Sequence, residues 1–598
     1  MTTAAAQSTA GADGAAHGPH IVERVASETP ALGGVQPALL RRIYAGRGVT
    51  DAAELDYRLA GLPDFSTLKG IDAAVDELEA AIVARRPIRI VGDFDADGAT
   101  STTLAMDVLE AFGATVDFFM PHRATHGYGL SPTVVEAIGP PGAAGGLLLT
   151  VDNGIASMSG VDAARAAGWR VVVTDHHLPG ERLPAAEAIV NPNQADCGFA
   201  CKHLAGVGVV FYVMAALRAR MAQRGVTALP RMGELLDLVA VGTVADVVPL
   251  DHVNRTLVSQ GLRRIRAGRG RPGIVALAEI AGRDPQRLDT DDIGFAIGPR
   301  INAAGRLDDM SLGVACLRAG TVDIARQAAE TLSSINRQRR SVQQRMQGQA
   351  EAALARVTAL EEAPDALVVH EPDWHEGIVG LIASRLRERM HRPVVAFAPG
   401  EHGELKGSAR SIPGLHIRDA LAAVDAEAPG LITRFGGHAQ AAGLSLPPSA
   451  LADFAERFRA AVAARLTPDI ATREYVTDGE LDGPDHGLET AARLRDAGPW
   501  GAGFAAPLFH GAYHVLAQRI VGSGHLKLTV QAVNGGAPIE AMIFNRDELL
   551  DDSRVHRLVF RLQVNEFRGR QSANLIVEHC CVDAPGLVRR ERSDVNES

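Results

Sequence analysis

The segment Gly92-Asp93-Phe94-Asp95-Ala96-Asp97-Gly98 sets three carboxylates at alternate positions, directly after a short β-rich run, Ile88-Arg89-Ile90-Val91. In extended backbone, alternate side chains share one face. Three like charges on that face repel one another strongly unless a cation joins them. Two more apolar runs end in Asp. Leu147-Leu148-Leu149-Thr150-Val151 leads into Asp152, and Val171-Val172-Val173-Thr174 leads into Asp175, which is followed by His176 and His177. A further acid, Asp246, closes Gly242-Thr243-Val244-Ala245. Taken singly, each is bland: an Asp at a strand end is common, and paired histidines are ordinary polar surface. Taken together, they offer carboxylates and imidazoles from successive sheet edges. Oxygen ligands with one or two histidines suit Mn²⁺ or Mg²⁺ better than a thiolate-preferring metal. Several carboxylates fit a two-metal site with ions about 3.5–4 Å apart, which binds a phosphoryl oxygen, acidifies water and stabilises a leaving oxygen. A Ca²⁺ loop of the EF-hand type needs a Glu where Leu104 stands, and flanking helices rather than a strand.

The elements that must position these residues follow from periodicity. Leu39 to Arg86 reads as a helical lead-in, and Ala99 to Phe112 and Ala156 to Ala167 as helices between the apolar runs. Apolar runs alternating with helices mean a buried parallel sheet, which binds ligands at the carboxyl ends of its strands. Residues 268–273 (GRGRPG) read as a basic, Gly-rich loop. Residues 321–360 read as one or two helices carrying Arg337, Arg339, Arg340 and Arg345, by default a solvated charged face. A second, smaller α/β pattern follows, with turns expected near Ser408-Ala409-Arg410-Ser411 and Gly436-Gly437-His438. From Tyr475 onward, short strands suggest a small barrel. The expected division is a disordered tail over 1–36, a catalytic α/β domain over 37–320, a helical linker over 321–362, a second α/β domain over 363–468, and a barrel domain over 469–598.

Composition narrows the partners. With 598 residues, three or four units are expected. The net charge of −11 excludes a protein coated in basic charge but allows a local groove. Only four of the 60 basic residues are Lys, and no Gly-Lys-Ser/Thr occurs, which argues against a P-loop motor. Five cysteines are too few for a disulfide framework; Cys197, Cys201 and His203 lie close in sequence, but no second pair completes a zinc set. No apolar run is long enough for a membrane span, and Met1 to His20 lacks the pattern of a signal peptide, so a cytoplasmic location is expected.

GDFDADG, VDNG, DHH and GTVADVVPL occur here in the order of the DHH phosphoesterase superfamily, which the chain resembles. The likeness to the RecJ family within it continues through PHRATHGYGL (121–130), NPNQ (191–194), LAGVGVVF (204–211), GPRINAAGRLDD (298–309), WHEGIVGLIASRL (374–386), GSARS (407–411) and GGHAQAAG (436–443). It spans residues 40 to 583. The resemblance implies a DHH-type sheet domain, a DHH-associated α/β domain and a C-terminal oligonucleotide-binding barrel. It implies Asp95, Asp97, Asp152, His176 and Asp246 as metal ligands, Asp93 as a ligand or near-ligand, and Asp152 as the bridge between two ions. His177 would position the scissile phosphate or protonate the leaving oxygen. Arg123 and Tyr128 would meet phosphate and base, Arg300, Asn302 and Arg306 would form a second polar cluster, and Ser408, Arg410 and His438 would hold the 5′ end. The implied activity is a single-stranded-DNA-specific 5′→3′ exonuclease of recombination and repair, a monomer acting beside a helicase and a single-strand-binding protein. A DHH enzyme for short oligonucleotides or cyclic dinucleotides would share the metal site, but would not need the extra barrel. A scaffold that had lost its metals is disfavoured by the complete ligand set. One departure from the resemblance stands out: the family's Pro-Phe-Gly-x-Gly-Asn segment reads Pro499-Trp500-Gly501-Ala502-Gly503-Phe504 here, a tolerable aromatic swap at Trp500 and a replacement at Phe504 that puts a turn contact in doubt.

Overall fold

The computed structural model describes residues 19–24, 30–35, 37–358, 364–400, 403–481, 483–522, 524–567, 569–582 and 590–592. They divide into two compact units. One joins Val25–Gln344 with Glu480–Cys580, and the other is built on Arg345–Gly479.

The first unit contains a five-stranded parallel sheet in the order Val116–Phe119, Ile88–Val91, Gly146–Val151, Trp169–Thr174, Ala188–Val190. Gly146–Val151 is buried along its whole length, as a continuous apolar run in a two-sided parallel sheet must be. After Ile88–Val91 the chain turns to one side, through helix Ala96–Ala111, to form the edge strand Val116–Phe119. It then crosses to the other side as Gly146–Val151. The reversal leaves a crevice beyond the carboxyl ends of Ile88–Val91 and Gly146–Val151, the usual ligand position in such sheets. Helices Gly206–Gln223 and Leu236–Ala245 pack on Ala96–Ala111, and almost every residue of that helix is buried. It is therefore fixed from all sides.

The same unit holds a closed barrel of Phe509–Val521, His525–Ala532, Ile539–Ile543, Arg570–Val582 and Val555–Phe567, in that order. Phe509, Tyr513 and Phe560 fill it.

The second unit has a five-stranded sheet ordered Arg434–Gly437, Ala441–Leu446, Leu405–Arg410, Val394–Pro399, Leu367–His370. Only the Leu367–His370/Val394–Pro399 pair is parallel. Phe397, Phe454 and Phe458 centre its core, with Phe454 stacked on Phe458 at 5.6 Å between ring centroids.

Several expectations need correction. The segment read as a disordered tail contains a strand, His20–Arg24, which pairs in parallel with Glu474–Thr477 and Arg590–Arg592; residues 1–18, 25–29 and 36 lie outside the described residues. Pairing across hundreds of residues leaves no local trace in periodicity. For the same reason the 469–598 segment is not one body: Glu474–Thr477 and Arg590–Arg592 belong to the unit of the second α/β domain. The linker is a single helix, Val322–Thr358. The GRGRPG segment is the break between two helices: Gly268 is left-handed at φ 70°, Gly270 and Arg271 are extended, and Pro272 starts the next helix. The turns expected at 408–411 and 436–438 are mostly strand. Among the described residues no helix is long and apolar enough to cross a membrane.

Candidate metal centre

Three loops and one helix end meet at the sheet reversal. Asp93 follows Ile88–Val91 and is buried, its Oδ1 accepting from the Phe94 amide at 2.8 Å. Asp95 is the N-cap of Ala96–Ala111, accepting from the amides of Asp97 and Gly98 at 3.0 Å each. Asp97 therefore lies in the first turn of a helix, and the expected alternation of three Asp along a strand face does not occur. Helical geometry turns Asp97 toward the start of Gly206–Gln223, where the amides of Gly206 and Val207 donate to its two oxygens at 2.6 and 3.0 Å. A Cβ on Gly206 would stand 2.5 Å from that of Asp152, so glycine is needed for this helix end to approach.

Asp152 follows Gly146–Val151 in a left-handed conformation, φ 62°, and is 1 % exposed. Its Oδ1 is buried without a hydrogen-bond partner, as is His176 Nε2, and the two atoms are 3.1 Å apart. Asp246 caps the end of Leu236–Ala245 and brings Oδ2 to 3.4 Å from the same His176 nitrogen. The seven side chains fall into three overlapping sets, Asp93/Asp95/Asp152, Asp97/His176/Asp246 and Asp152/His176/His177. Within each set one ligand atom per residue lies within 4.8 Å of the others.

The electrostatics ask for cations. Burial, then mutual repulsion, pushes the carboxyls of Asp93, Asp97 and Asp152 well above the usual range. Burial and the charge of Asp95 lift Asp246 to about 7. Burial and the neighbouring His177 lower His176 to about 4, which keeps its imidazole neutral, the form that binds metal. Buried ligand atoms without hydrogen-bond partners, a neutral imidazole and crowded carboxylates fit Mn²⁺ or Mg²⁺.

His177 differs from His176. Burial opposes its protonation, but the Asp175 carboxylate, 2.7 Å from Nδ1, outweighs burial and raises it to about 9. Asp175 also accepts from the amides of His176, His177 and Ile155 at 2.7, 3.1 and 2.9 Å. It orients the histidine pair, a role the residue pattern did not reveal although the Asp-His-His triplet contains it. Asn191 and Asn193 were missed too. Their amides donate to the carbonyls of His177 and His176 at 2.9 and 2.6 Å, and NPNQ was the signal.

Tyr128 is exposed beside this centre, its hydroxyl 3.0 Å from His177 Nε2. Its ring stands edge-on to Phe94, over which the Arg123 guanidinium lies at 5.1 Å. Helix Gly298–Leu307 rests on the same loop. Asn302 Oδ1 accepts from the Ala96 amide at 2.6 Å, and a Cβ on Gly305 would strike the Phe94 carbonyl. Arg300 is buried on this helix, donating to the Ala296 carbonyl at 2.6 Å. Burial, with Arg340, Arg283 and Arg337 close by, lowers its pKa. Arg306 sits in the last turn, half-buried. Asn302 thus supports the metal loop, whereas Arg300 anchors its own helix.

Ser408, Arg410 and His438 belong to the other unit. Arg410 donates to Ser408 Oγ and to the Ala409 carbonyl, both at 2.8 Å. The expected cradle of turn amides is absent, because Leu405–Arg410 is an internal strand whose amides serve the sheet. Gly407 is there because a Cβ would stand 2.5 Å from the Phe397 ring. Gly443 and Gly436 pair in register beside Ser408 and face open space, giving a bare trough. Gly380, missed in the sequence, leaves room on helix Glu376–Met390 for Arg410 and Ser408, whose polar atoms would lie 2.9 and 3.0 Å from a Cβ. His438 is exposed at the hairpin end.

Comparison with known proteins agrees with this layout. Residues 87–243 match the DHH family, N-terminal domain, residues 363–464 the DHHA1 domain, and residues 477–579 the RecJ OB domain. The single-stranded-DNA-specific exonuclease RecJ of Dickeya dadantii is 52% identical over 557 residues, covering 91% of this chain and 96% of that protein. That of Escherichia coli K12 is 49% identical over 566 residues, covering 93% and 98%. The chain belongs to the RecJ family of the DHH superfamily. A solved RecJ from Thermus thermophilus in complex with Mn²⁺ has a TM-score of 0.76 at 30% identity, covering 94% of this chain and 80% of that one. A second solved RecJ, bound to manganese, is 34% identical with a TM-score of 0.56, covering 69% and 98%. As a RecJ-family protein, the chain pairs a DHH domain and a DHHA1 domain with a barrel of the RecJ OB type.

Proposed function

We propose that this protein is a metal-dependent exonuclease specific for single-stranded DNA, hydrolysing phosphodiester bonds in DNA recombination and repair. The observation that carries this reading is the convergence of Asp93, Asp95, Asp97, Asp152, His176 and Asp246 at the sheet reversal, in a chain that also carries a barrel of the oligonucleotide-binding type. Asp95, Asp97, Asp152, His176 and Asp246 would hold a pair of Mn²⁺ or Mg²⁺ ions, with Asp93 at the edge of the set and Asp152, common to two of the three clusters, at its centre. When bound, the ions neutralise the carboxylates, polarise the phosphoryl group and supply acidified water.

The chain's own groups do the rest. Neutral His176 gives its lone pair to the site. His177, held protonated by Asp175, offers a proton to the oxygen that leaves as the phosphorus–oxygen bond breaks. Asp175 positions that proton and does not itself transfer one. Arg123 neutralises a non-bridging phosphate charge, and Tyr128 offers a face for a base or sugar. Asn302 and Arg306 line the approach, and Arg300 adds positive potential from within its helix. Ser408 and Arg410, over the glycine trough, hold the terminal 5′-phosphate with His438 beside them. A site that captures a 5′ end gives 5′→3′ polarity and release of one mononucleotide at a time. The protein acts as a cytoplasmic monomer, beside a helicase and a single-strand-binding protein.

The test is Mn²⁺-dependent digestion of a long single strand labelled at either end, beside its duplex and a dinucleotide. Stepwise loss from the 5′ end with the duplex spared is expected. Activity confined to the dinucleotide would make this a small-substrate DHH hydrolase instead.

A further inference from the structure

The Pro499–Phe504 segment does not lie loose between catalytic domain and barrel. It lies on the loop that leaves Asp246. The Leu250 amide donates to the Ala502 carbonyl at 2.7 Å. A Cβ on Gly501 would meet the Leu250 side chain at 2.7 Å, and one on Gly503, at φ 65°, would meet Pro249 at 3.1 Å. The turn closes on itself through reciprocal amide–carbonyl bonds between Gly501 and Phe504, at 2.9 and 3.1 Å.

Phe504 is 1 % exposed. It stacks on Trp500 at 5.1 Å and 14° between ring planes, and the Arg255 guanidinium covers its face at 4.1 Å. Arg255 in turn donates to the Leu250 carbonyl at 2.8 Å. One peptide group on each side of Leu250 is thus tied to the Trp500–Phe504 turn, directly or through the cation that caps it. Tyr44 and Arg47 fasten the turn from behind, donating to the carbonyls of Ala497 and Ala505 at 2.8 and 2.7 Å. Asn254 takes the Pro249 carbonyl at 2.8 Å.

The other end of this short loop is under strain. Val247, next to Asp246, is β-branched yet left-handed at φ 64°, and it is exposed, so its own side chain does not hold it there. Such a conformation persists only where the surroundings over-determine it. The bonds and packing at Pro249 and Leu250 supply that constraint.

We infer that the Pro499–Phe504 turn is a brace for the metal centre: by clamping Pro249 and Leu250 it keeps Asp246 aimed at His176, so this C-terminal segment sets metal affinity as well as linking to the barrel. Trp500, Gly503, Phe504 and Arg255 are positioning residues. The inference rests on Asp246 being a metal ligand.

The test is titration of full-length protein with Mn²⁺, read from the EPR signal of the free ion, alongside single-strand affinity in EDTA and the dependence of turnover on Mn²⁺. Phe504→Ala and Gly503→Ala should weaken Mn²⁺ binding about tenfold, as loss of a ligand's support does, while single-strand affinity stays within about twofold and saturating Mn²⁺ restores turnover. Phe504→Tyr, which keeps the ring face, should bind Mn²⁺ like the parent. If Phe504→Ala fails to fold, Phe504→Leu keeps the apolar filling and removes only the ring. Unchanged Mn²⁺ affinity in folded variants, with Asp246→Ala losing Mn²⁺, would overturn the brace. Parent-like Mn²⁺ binding by Asp246→Ala would instead overturn the ligand assignment, and the brace with it.

Discussion

The acidic centre and the Ser408–Arg410 trough, the two places to which we assign phosphate contacts, are built by opposite means. The centre gathers buried carboxylates from loop ends, where burial and repulsion raise their pKa values and leave Asp152 Oδ1 and His176 Nε2 without partners. The trough is a half-exposed guanidinium, already satisfied by Ser408 and a carbonyl, over a floor of glycines. The first is unfavourable until filled; the second is at rest when empty. Removing a charge from the centre should therefore abolish function yet relieve the fold, whereas removing the trough's charge should weaken function and leave the fold alone.

The largest effect expected is from Asp152→Asn. On the proposed assignment, loss of this central ligand removes several kcal/mol of transition-state stabilisation, a fall in turnover of about a thousandfold or more. The same variant should melt higher than the parent in EDTA, because it carries one less buried charge. A lower melting temperature in EDTA would break the comparison. Next is His177→Ala. Losing a positioned acid should cut kcat about a hundredfold with Mn²⁺ binding retained, measured by single-turnover digestion with a parallel Mn²⁺ titration. Arg410→Ala should raise KM about tenfold through a lost charge-assisted bond, chiefly for 5′-phosphorylated strands, with melting unchanged. Equal loss on 5′-hydroxyl strands would deny the trough its end-binding role.

The smallest effect sharpens the comparison through pH. Asp246 has its folded value raised to about 7 and His177 to about 9. Each therefore contributes stability that is present below its unfolded value and lost as pH rises through its folded value. His176, lowered to about 4, acts oppositely, but only below its unfolded value near 6.5. Between about pH 6.5 and 8 the metal-free protein should lose melting temperature. Mn²⁺, replacing the proton on Asp246, should remove that group's share of the slope and leave the share due to the His177–Asp175 pair. A flat metal-free profile over this window would show that Asp246 and His177 do not carry the shifts described.

Much of the centre was legible in sequence because each member stands at a boundary of periodicity: Asp93, Asp152 and Asp175 close apolar strands, and Asp246 closes a helix. The geometry of Asp97 was not, because alternate spacing after a strand suggests extended backbone, whereas the Asp95 cap starts the helix at Ala96, three residues sooner than expected. The trough was misread for a related reason. Small residues at 407–409 and 436–437 resemble turns, but here glycine serves close packing beneath Phe397 and an open sheet face. The His20–Arg24 strand and the Pro499–Phe504 contact were beyond reach, since both depend on partners hundreds of residues away.

The most direct test of the central claim is anomalous diffraction from crystals of the full-length protein grown with Mn²⁺. Two peaks about 3.5–4 Å apart, both beside Asp152 and flanked by Asp95, Asp97, His176 and Asp246, are predicted. Peaks elsewhere, or none among these side chains at saturating Mn²⁺, would contradict the account.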